Sequence, residues 1–263
     1  MIFLLSYLAL GACAGLMAGL LGVGGGLIIV PVLTFLFTAQ GLPSPFILHL
    51  ALGTSLASIM FTSVSSLRAH HDKGAVNWQI FRRITPGIVI GTFLGACMAA
   101  HLSTRLLKGF FVAFLYYVAL KMLLDAKPKP ARQLPGKAGM LGIGGLIGGI
   151  SSLAGIGGGS MSVPFMVWCN VSMRNAIGTS AAIGFPLALT GTVGYLINGL
   201  PATDLPSSSI GFIHIPALFG ISLTSILAAP LGARLAHILP VASLSKTFAL
   251  LLLLMGTKML TGF

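Results

Sequence analysis

Long apolar runs separated by short polar segments fill the whole chain. The runs can be delimited at residues 2–20, 27–38, 45–67, 84–101, 106–124, 138–154, 161–169, 175–197, 210–233 and 243–260. With a helical rise of about 1.5 Å per residue, the first run reaches roughly 30 Å, the thickness of the hydrocarbon core of a bilayer, whereas run 27–38 reaches only about 18 Å. The pattern predicts an all-α polytopic membrane protein in which long runs cross the bilayer and short runs form half-helices.

The composition agrees with this prediction. Only 7% of the residues are charged and 56% are hydrophobic, whereas about a quarter of the residues of a soluble domain are charged. Secreted disulfide scaffolds, nucleic-acid binders and cytosolic enzymes are therefore disfavoured. The net charge of +12 comes from lysines and arginines in the connecting loops, where cytoplasmic basic residues set the topology of a membrane protein.

The N-terminus and the cysteines add two expectations. No lysine or arginine precedes the first apolar run, so the basic region of a signal peptide is missing and we expect a retained helix. Cys13, Cys97 and Cys169 lie in apolar runs, where a thiol is usually a small buried hydrophobe. We therefore expect neither a disulfide nor a metal site from them.

An internal repeat divides the chain. The segment LLGVGGG at 20–26 returns as LAGIGGG at 153–159, each followed by a Val-Pro pair, and ALGTS at 51–55 returns as AIGTS at 176–180. A segment rich in proline and lysine separates the two copies and suits an exposed connection. The predicted division is a first membrane repeat at 1–124, a cytoplasmic linker at 125–137 and a second membrane repeat at 138–263.

The loop charges suggest that the two repeats are inverted relative to each other. The loop 68–83 and the linker are basic and should be cytoplasmic, whereas the loop 198–213, which matches the first one in the repeat, has no lysine or arginine. Each half would then have about three full transmembrane helices plus a glycine-broken helical hairpin, at 2–38 or 138–169. Arg105 and Lys108 do not fit this orientation, because they fall on the predicted outer side, and the acid-poor linker leaves a parallel repeat open.

The two glycine runs are the strongest candidates for a binding site. Glycine disfavours a continuous helix, and broken backbone inside a bilayer must face protein or a watery cavity. The helices that restart after each break would point their N-termini, with free N–H groups, at a shared anion site. The alternative is that these glycines only permit close helix packing. The glycines in question are Gly22, Gly24, Gly25 and Gly26 in the first run, and Gly155, Gly157, Gly158 and Gly159 in the second.

Hydroxyl side chains are the next candidates, because they can donate to an oxyanion without adding a charge. Thr54 and Ser55 follow a glycine in the first repeat, and Thr179 and Ser180 do so in the second; Ser160 has an apolar counterpart in the first half. Four hydroxyls form a stripe on one helix face that could line a pathway or serve helix packing, namely Ser55, Ser58, Thr62 and Ser65.

Acidic residues are missing from the apolar runs. The chain has no glutamate, and its three aspartates lie outside these runs, so the carboxylate relay of a proton-coupled pump is not expected. His49 and His214 border apolar runs and are interpreted as interface residues. The adjacent His70 and His71 make a weak metal motif. We therefore expect no metal, no cofactor and no catalytic residue.

Taken with the landmarks Gly95-Ala96 and Gly232-Ala233-Arg234, the doubled glycine and Thr-Ser motifs are similar to those of the TauE/SafE sulfite exporter family, also called the toluenesulfonate uptake permease family. The resemblance covers essentially the whole chain. It implies a multi-pass protein of the bacterial inner membrane that moves small sulfur-containing anions such as sulfite, thiosulfate and sulfonates. It also implies that the glycine runs and the Thr-Ser pairs bind the anion.

The preferred hypothesis is a transporter or facilitator of a small anion that works in export and is not an enzyme. The expected partners are the anionic substrate and the lipid bilayer, without nucleic acid, and a homo-oligomer stays open. One alternative is an intramembrane serine protease using Ser151, Ser152 or Ser160, although no histidine is placed next to these serines by the sequence. The other is a membrane scaffold protein.

Overall fold

The computed structural model describes residues 2–21, 25–124, 132–235 and 241–261. In these ranges each apolar run contains a helix, which confirms the all-α polytopic class. Six of the helices are long and apolar enough to span a membrane: α1, α3, α4, α5, α8 and α9. The helices are α1 (Ile2–Leu21), α2 (Gly26–Ala39), α3 (Ile47–His71), α4 (Trp78–His101), α5 (Thr104–Leu123), α6 (Lys137–Leu153), α7 (Gly159–Trp168), α8 (Met173–Gly199), α9 (Ile215–Leu235) and α10 (Val241–Thr261).

A short β-hairpin precedes α9, where the apolar pattern predicts only helix. Its strands, β1 (Ser209–Ile210) and β2 (Ile213–His214), pair antiparallel. The turn contains Gly211 with φ +53°, and a Cβ at this position would lie 2.4 Å from the carbonyl oxygen of Leu196 in α8. The segment is apolar because it is packed against the helices and not because it continues one of them.

Two pairs of helices pack closely and in parallel. Helix α1 runs along α9, and α4 runs along α6. A Cβ on Gly15 would lie 2.6 Å from the Ser225 carbonyl oxygen, and one on Gly91 would lie 2.0 Å from that of Gly145. Small residues four apart let membrane helices approach to backbone contact, and this chain has them at Gly11, Gly15 and Gly19 and at Gly87, Gly91 and Gly95.

The helix contacts can be compared with the repeat that the sequence predicts. In the repeat, α1 to α5 correspond to α6 to α10, so the α1–α9 pair has its counterpart in α6–α4. Likewise α3 packs on α8, α5 on α10, and α4 contacts α8 as α9 contacts α3. Helix α3 is the most enclosed of the six long apolar helices. The centre of the molecule therefore lies where α3 and α8 meet.

The two ends of the bundle can be distinguished by their contacts. At end A, Gln40, directly after α2, donates a hydrogen bond to Tyr7 of α1, and His49 of α3 donates to the carbonyl oxygen of Ala99 in α4. At end B, Arg174 of α8 donates to the carbonyl oxygen of Lys73, just after α3. Helices α1, α3 and α9 therefore begin at end A, and α4, α6 and α8 begin at end B.

Candidate functional site

The backbone adopts a left-handed conformation at the equivalent glycine in both halves. Gly25 has φ +70° directly before α2, and Gly158 has φ +77° directly before α7. This left-handed conformation favours glycine because a Cβ would clash with the following carbonyl. The carbonyl oxygen of Gly25 accepts from the Ile28 amide and that of Gly158 from the Ser162 amide. Each glycine thus starts a helix in the interior of the bundle.

The two breaks lie against each other. A Cβ on Gly26 would lie 2.4 Å from the carbonyl oxygen of Gly155, so the backbones are in direct contact. Ser55 of α3 donates a hydrogen bond of 2.7 Å to the same oxygen. Gly22 and Gly24, which the sequence also proposes for the site, lie outside the described residues. Helix α3 therefore holds the second break in place through Ser55.

The two repeat threonines each hold a segment of the opposite half. Thr54 Oγ1 accepts a hydrogen bond of 2.9 Å from the backbone amide of His214, directly before α9. Thr179 Oγ1 accepts one of 2.9 Å from the amide of Asn77, directly before α4. Both threonines are fully buried. Their hydroxyl oxygens therefore serve as acceptors in the fold, a role that the sequence motif alone did not reveal.

The second break carries hydroxyls that the fold does not use. Ser151 of α6 and Ser160 of α7 are buried, and neither Oγ has a hydrogen-bond partner among the described residues. A Cβ on Gly158 would lie 3.6 Å from the Ser151 Oγ, which places this hydroxyl beside the start of α7. Ser162 Oγ, in contrast, donates 2.8 Å to Ser180 Oγ.

The first break has no such hydroxyls. In the repeat, the counterparts of Ser151, Ser160 and Ser162 are Ala18, Leu27 and Ile29, all apolar. Leu27 and Ile29 belong to the apolar core. The flanking helices of the first break therefore supply apolar side chains at the three positions where those of the second break supply hydroxyls.

A small cavity adjoins the second break. Its volume is about 20 Å³, enough for about one water molecule. Gly157 of the break and Ser180 of α8 line it, and α3 contributes Thr62, Ser63 and Ser66. Together with Ile59, these α3 residues have the spacing of one helix face. The same spacing in the sequence could have identified Ser63 and Ser66 as candidates.

The hydroxyl stripe proposed from the sequence is divided: Ser55 and Thr62 lie at the second break and its cavity, whereas Ser58 and Ser65 do not. Ser58 Oγ donates to the Thr54 carbonyl oxygen of its own helix, and Ser65 Oγ donates to that of Ile226 in α9. Thr62 lines the cavity and is 2.7 Å from Ser225 Oγ. The stripe therefore serves mainly backbone bonding and the α3–α9 contact.

Two of the three buried histidines of the described residues, His49 and His214, lie at end A. His214 accepts a hydrogen bond at Nδ1 from the Ala217 amide, and its Nε2 is 3.1 Å from Ser208 Oγ. Burial lowers the pKa of His214, which favours the neutral ring. His49 bonds to Ala99. The described hydrogen bonds link neither histidine to Ser151 or Ser160, so these serines gain no base from them.

The family follows from the match of residues 7–259 to the family model described as sulfite exporter TauE/SafE. The chain belongs to the TauE/SafE family. A probable membrane transporter protein of Haemophilus influenzae is 37% identical over 98% of this chain and 98% of its own length. Relatives of the same description occur in Bacillus subtilis, at 31% identity over 72% of this chain and 77% of the relative, and in Methanocaldococcus jannaschii, at 29% over 86% and 83%. No solved structure matches the chain.

Membership of the TauE/SafE family, together with the apolar helices, makes this chain a multi-pass membrane transporter. The family and the names of the relatives indicate transport and not enzymatic activity. The resemblance on which the sequence interpretation depends is thereby confirmed over nearly the whole chain.

Proposed function

We propose that this transporter moves small sulfur-containing anions, of the sulfite, thiosulfate and sulfonate class, out of the cell across the inner membrane. The observation that carries the proposal is the pair of buried hydroxyls without partners, Ser151 and Ser160, beside the start of α7. A buried polar group without a partner costs about 1–3 kcal/mol. An anion that accepts hydrogen bonds from both hydroxyls would remove this cost, and the name of the family supports a sulfur oxyanion.

The electrostatics at the second break favour an anion. The first N–H groups of α7 have no partner within the helix and point toward the second break. The positive end of the helix dipole lies at the same end of α7. The described lining of the adjacent cavity contains neither aspartate nor glutamate. Neutral hydroxyls and backbone amides can therefore surround an oxyanion without a competing negative charge.

The proposed site is asymmetric. We assign anion binding to Gly157, Gly158, Gly159 and the hydroxyls around them, and assign to Gly25, Gly26 and Gly155 the shaping of the contact between the breaks. The cavity has room for about one water, whereas an oxyanion of sulfur has at least four heavy atoms. Binding must therefore widen the space between α3, α8 and the second break at Gly157.

We further propose that the halves are inverted and that end B faces the cytoplasm. The first half begins at end A and the second at end B, as an inverted repeat requires. Basic residues mark the cytoplasmic side. Among the described residues, those toward end B are Arg68, Lys73, Arg82, Arg83, Lys121, Arg132, Lys137, Arg174, Arg234 and Lys246, and those toward end A are Arg105, Lys108 and Lys258.

The membrane potential alone can drive export in this arrangement. A monovalent anion that leaves a cell with a negative interior gains about 2.3 kcal/mol per 100 mV, and a divalent anion gains about twice as much. The chain has only three acidic residues, Asp72, Asp125 and Asp204, all outside its apolar runs. We therefore expect no obligatory proton coupling through a membrane carboxylate.

The test is anion efflux from proteoliposomes held at defined potassium-diffusion potentials, with sulfite, thiosulfate and an organosulfonate as substrates. Efflux of at least one of these that follows the voltage, in sodium-free buffer and without a pH gradient, is the expected result. Strict dependence on a proton or sodium gradient at fixed voltage would overturn the facilitator mechanism. Absence of flux for all three anions would overturn the substrate class.

A further inference from the structure

A second cleft opens at end B between α3 and α9, and neither the anion site nor the family assignment uses it. Its volume is about 650 Å³. Ser65 Oγ of α3 donates 2.9 Å to the Ile226 carbonyl oxygen, and Lys73 Nζ donates 3.4 Å to that of Ala233. The cleft is thus a built feature of the α3–α9 contact. The lining residues that matter for its chemistry are Phe61, Arg68, Lys73, Ile226 and Arg234.

The cleft is apolar at one end and basic at the other. On α3 the lining passes from Phe61 to Arg68, and on α9 it passes from Ile226 to Arg234, both in the direction of end B. At a rise of about 1.5 Å per residue, the apolar and basic parts are about 10–12 Å apart on each helix. Phe61 and Ile226 are 41% and 37% exposed, although both are large and hydrophobic. The exposed surface of the cleft therefore combines an apolar groove with a positively charged part at end B.

The charge of the cleft selects for a negatively charged group. Three basic side chains line it, Arg68, Lys73 and Arg234, against a single acid, Asp72. Arginine binds phosphate oxygens well because its planar guanidinium can donate two parallel hydrogen bonds. A ligand that fits this lining carries an anionic headgroup and an apolar tail.

The cleft is separate from the proposed anion site. At about 100° per residue, Phe61 and Arg68 lie on the face of α3 opposite to that of Ser63 and Ser66, which line the small cavity. The cleft is flanked by strongly exposed leucines of α9, which suit contact with lipid: Leu223, Leu227 and Leu231. It therefore opens toward the bilayer and away from the path of the substrate.

We propose that this cleft binds one anionic phospholipid. Arg68, Lys73 and Arg234 hold the phosphate, and an acyl chain lies along Phe61 and Ile226. Basic pockets between transmembrane helices at the membrane surface are suited to such headgroups. With end B on the cytoplasmic side, as proposed above, the lipid belongs to the inner leaflet. The assignment does not depend on which substrate the protein carries.

The test is native mass spectrometry of the purified full chain after delipidation, with phosphatidylglycerol and phosphatidylcholine of identical acyl chains. The wild type is expected to prefer phosphatidylglycerol. The double variant R68Q/R234Q should bind it about 25-fold more weakly, from about fivefold per basic residue, and should bind phosphatidylcholine unchanged. The matched control R82Q/R83Q removes two exposed arginines from the same end but outside the cleft, and should keep the preference.

A third variant and a competition experiment complete the design. Asp72→Asn removes the one acid of the cleft and should tighten phosphatidylglycerol binding, a gain that loss of folding cannot imitate. Inorganic phosphate at millimolar concentration should not displace the lipid, because it lacks the acyl chain. Equal loss in the R82Q/R83Q control, no preference in the wild type, or displacement by inorganic phosphate would each overturn the proposal.

Discussion

Removing the hydroxyl of Ser160 should stabilise the ligand-free protein and weaken anion binding at the same time. The Ser160 Oγ is buried without a partner, and such a group costs about 1–3 kcal/mol in the folded state. In Ser160→Ala this cost disappears, and alanine is also the better helix former. We expect a melting temperature about 2 °C higher, from a gain near 1 kcal/mol.

The effect on the anion has the opposite sign. A hydrogen bond to a charged group contributes about 1.5–3 kcal/mol, so the Kd of Ser160→Ala should rise about 10- to 150-fold. Ser151→Ala should behave in the same way, because its Oγ is also without a partner. If these serines had a purely structural role, the melting temperature and the affinity for the anion would change in the same direction.

The assay compares thermal unfolding in detergent, with and without the anion that proves active in proteoliposomes, for the wild type and the variants. Ser58→Ala is the matched control, because Ser58 Oγ already donates to the Thr54 carbonyl oxygen and is not part of the proposed site. It should leave the Kd unchanged. An unaltered Kd in Ser160→Ala would refute the role of Ser160, and a lower melting temperature would refute the idea that its hydroxyl is unused.

Three further predictions follow from the same contacts. Gly25→Val and Gly158→Val should abolish flux at normal membrane levels, since a β-branched residue is strained at φ near +70°; wild-type flux at equal expression would contradict this. Single cysteines at Lys73 and Lys129 should react with an impermeant reagent from the cytoplasm, and one at Ser208 from outside; cytoplasmic labelling at Ser208 would disprove the inverted repeat. Thr54→Val should lower the free energy of unfolding by about 1–3 kcal/mol because the buried His214 amide loses its acceptor, and Thr179→Val should lower it less because its bond to Asn77 is only partly buried. The Thr→Ser variants, which keep the hydroxyl, are the controls. If thermal unfolding of Thr54→Val matches that of the wild type, the anchoring role is wrong.

The hydrophobic pattern was sufficient to predict the helices because each membrane helix must be apolar over nearly its whole length. The hydrophobic pattern did not predict the hairpin of β1 and β2. Residues 209–214 extend the apolar run of α9, and Phe212 is as buried as a helix residue would be. Gly211, with its positive φ and its contact with Leu196, is the one signal inside the hairpin, and a single glycine in an apolar run is too common to decide the matter.

The roles of the hydroxyls could not be predicted from the local sequence motif either. Thr54 and Ser55 are neighbours in a repeated motif, yet Thr54 anchors the segment before α9 and Ser55 binds the second glycine break. Both partners belong to the other half of the chain, 160 residues away for Thr54 and 100 residues away for Ser55. Hydroxyls that face opposite sides of a packed helix differ by contacts that only the tertiary structure creates.

The comparison of the two halves separates structure from function at the breaks. Features present in both halves, such as the positive φ of Gly25 and Gly158 or the Thr54 and Thr179 anchors, are shared parts of the fold and do not by themselves indicate a ligand. Buried hydroxyls without a partner also occur in the first half, at Ser66 and Thr92. Of those on the two helices that flank a break, however, Ser151 and Ser160 belong to the second break, opposite alanine and leucine at the first. Fold symmetry cannot account for them, and packing alone would favour their removal, because each costs free energy while it lacks a partner. A ligand that accepts hydrogen bonds accounts for both their presence and their restriction to one half, which is why the second break is the better place to look for the anion.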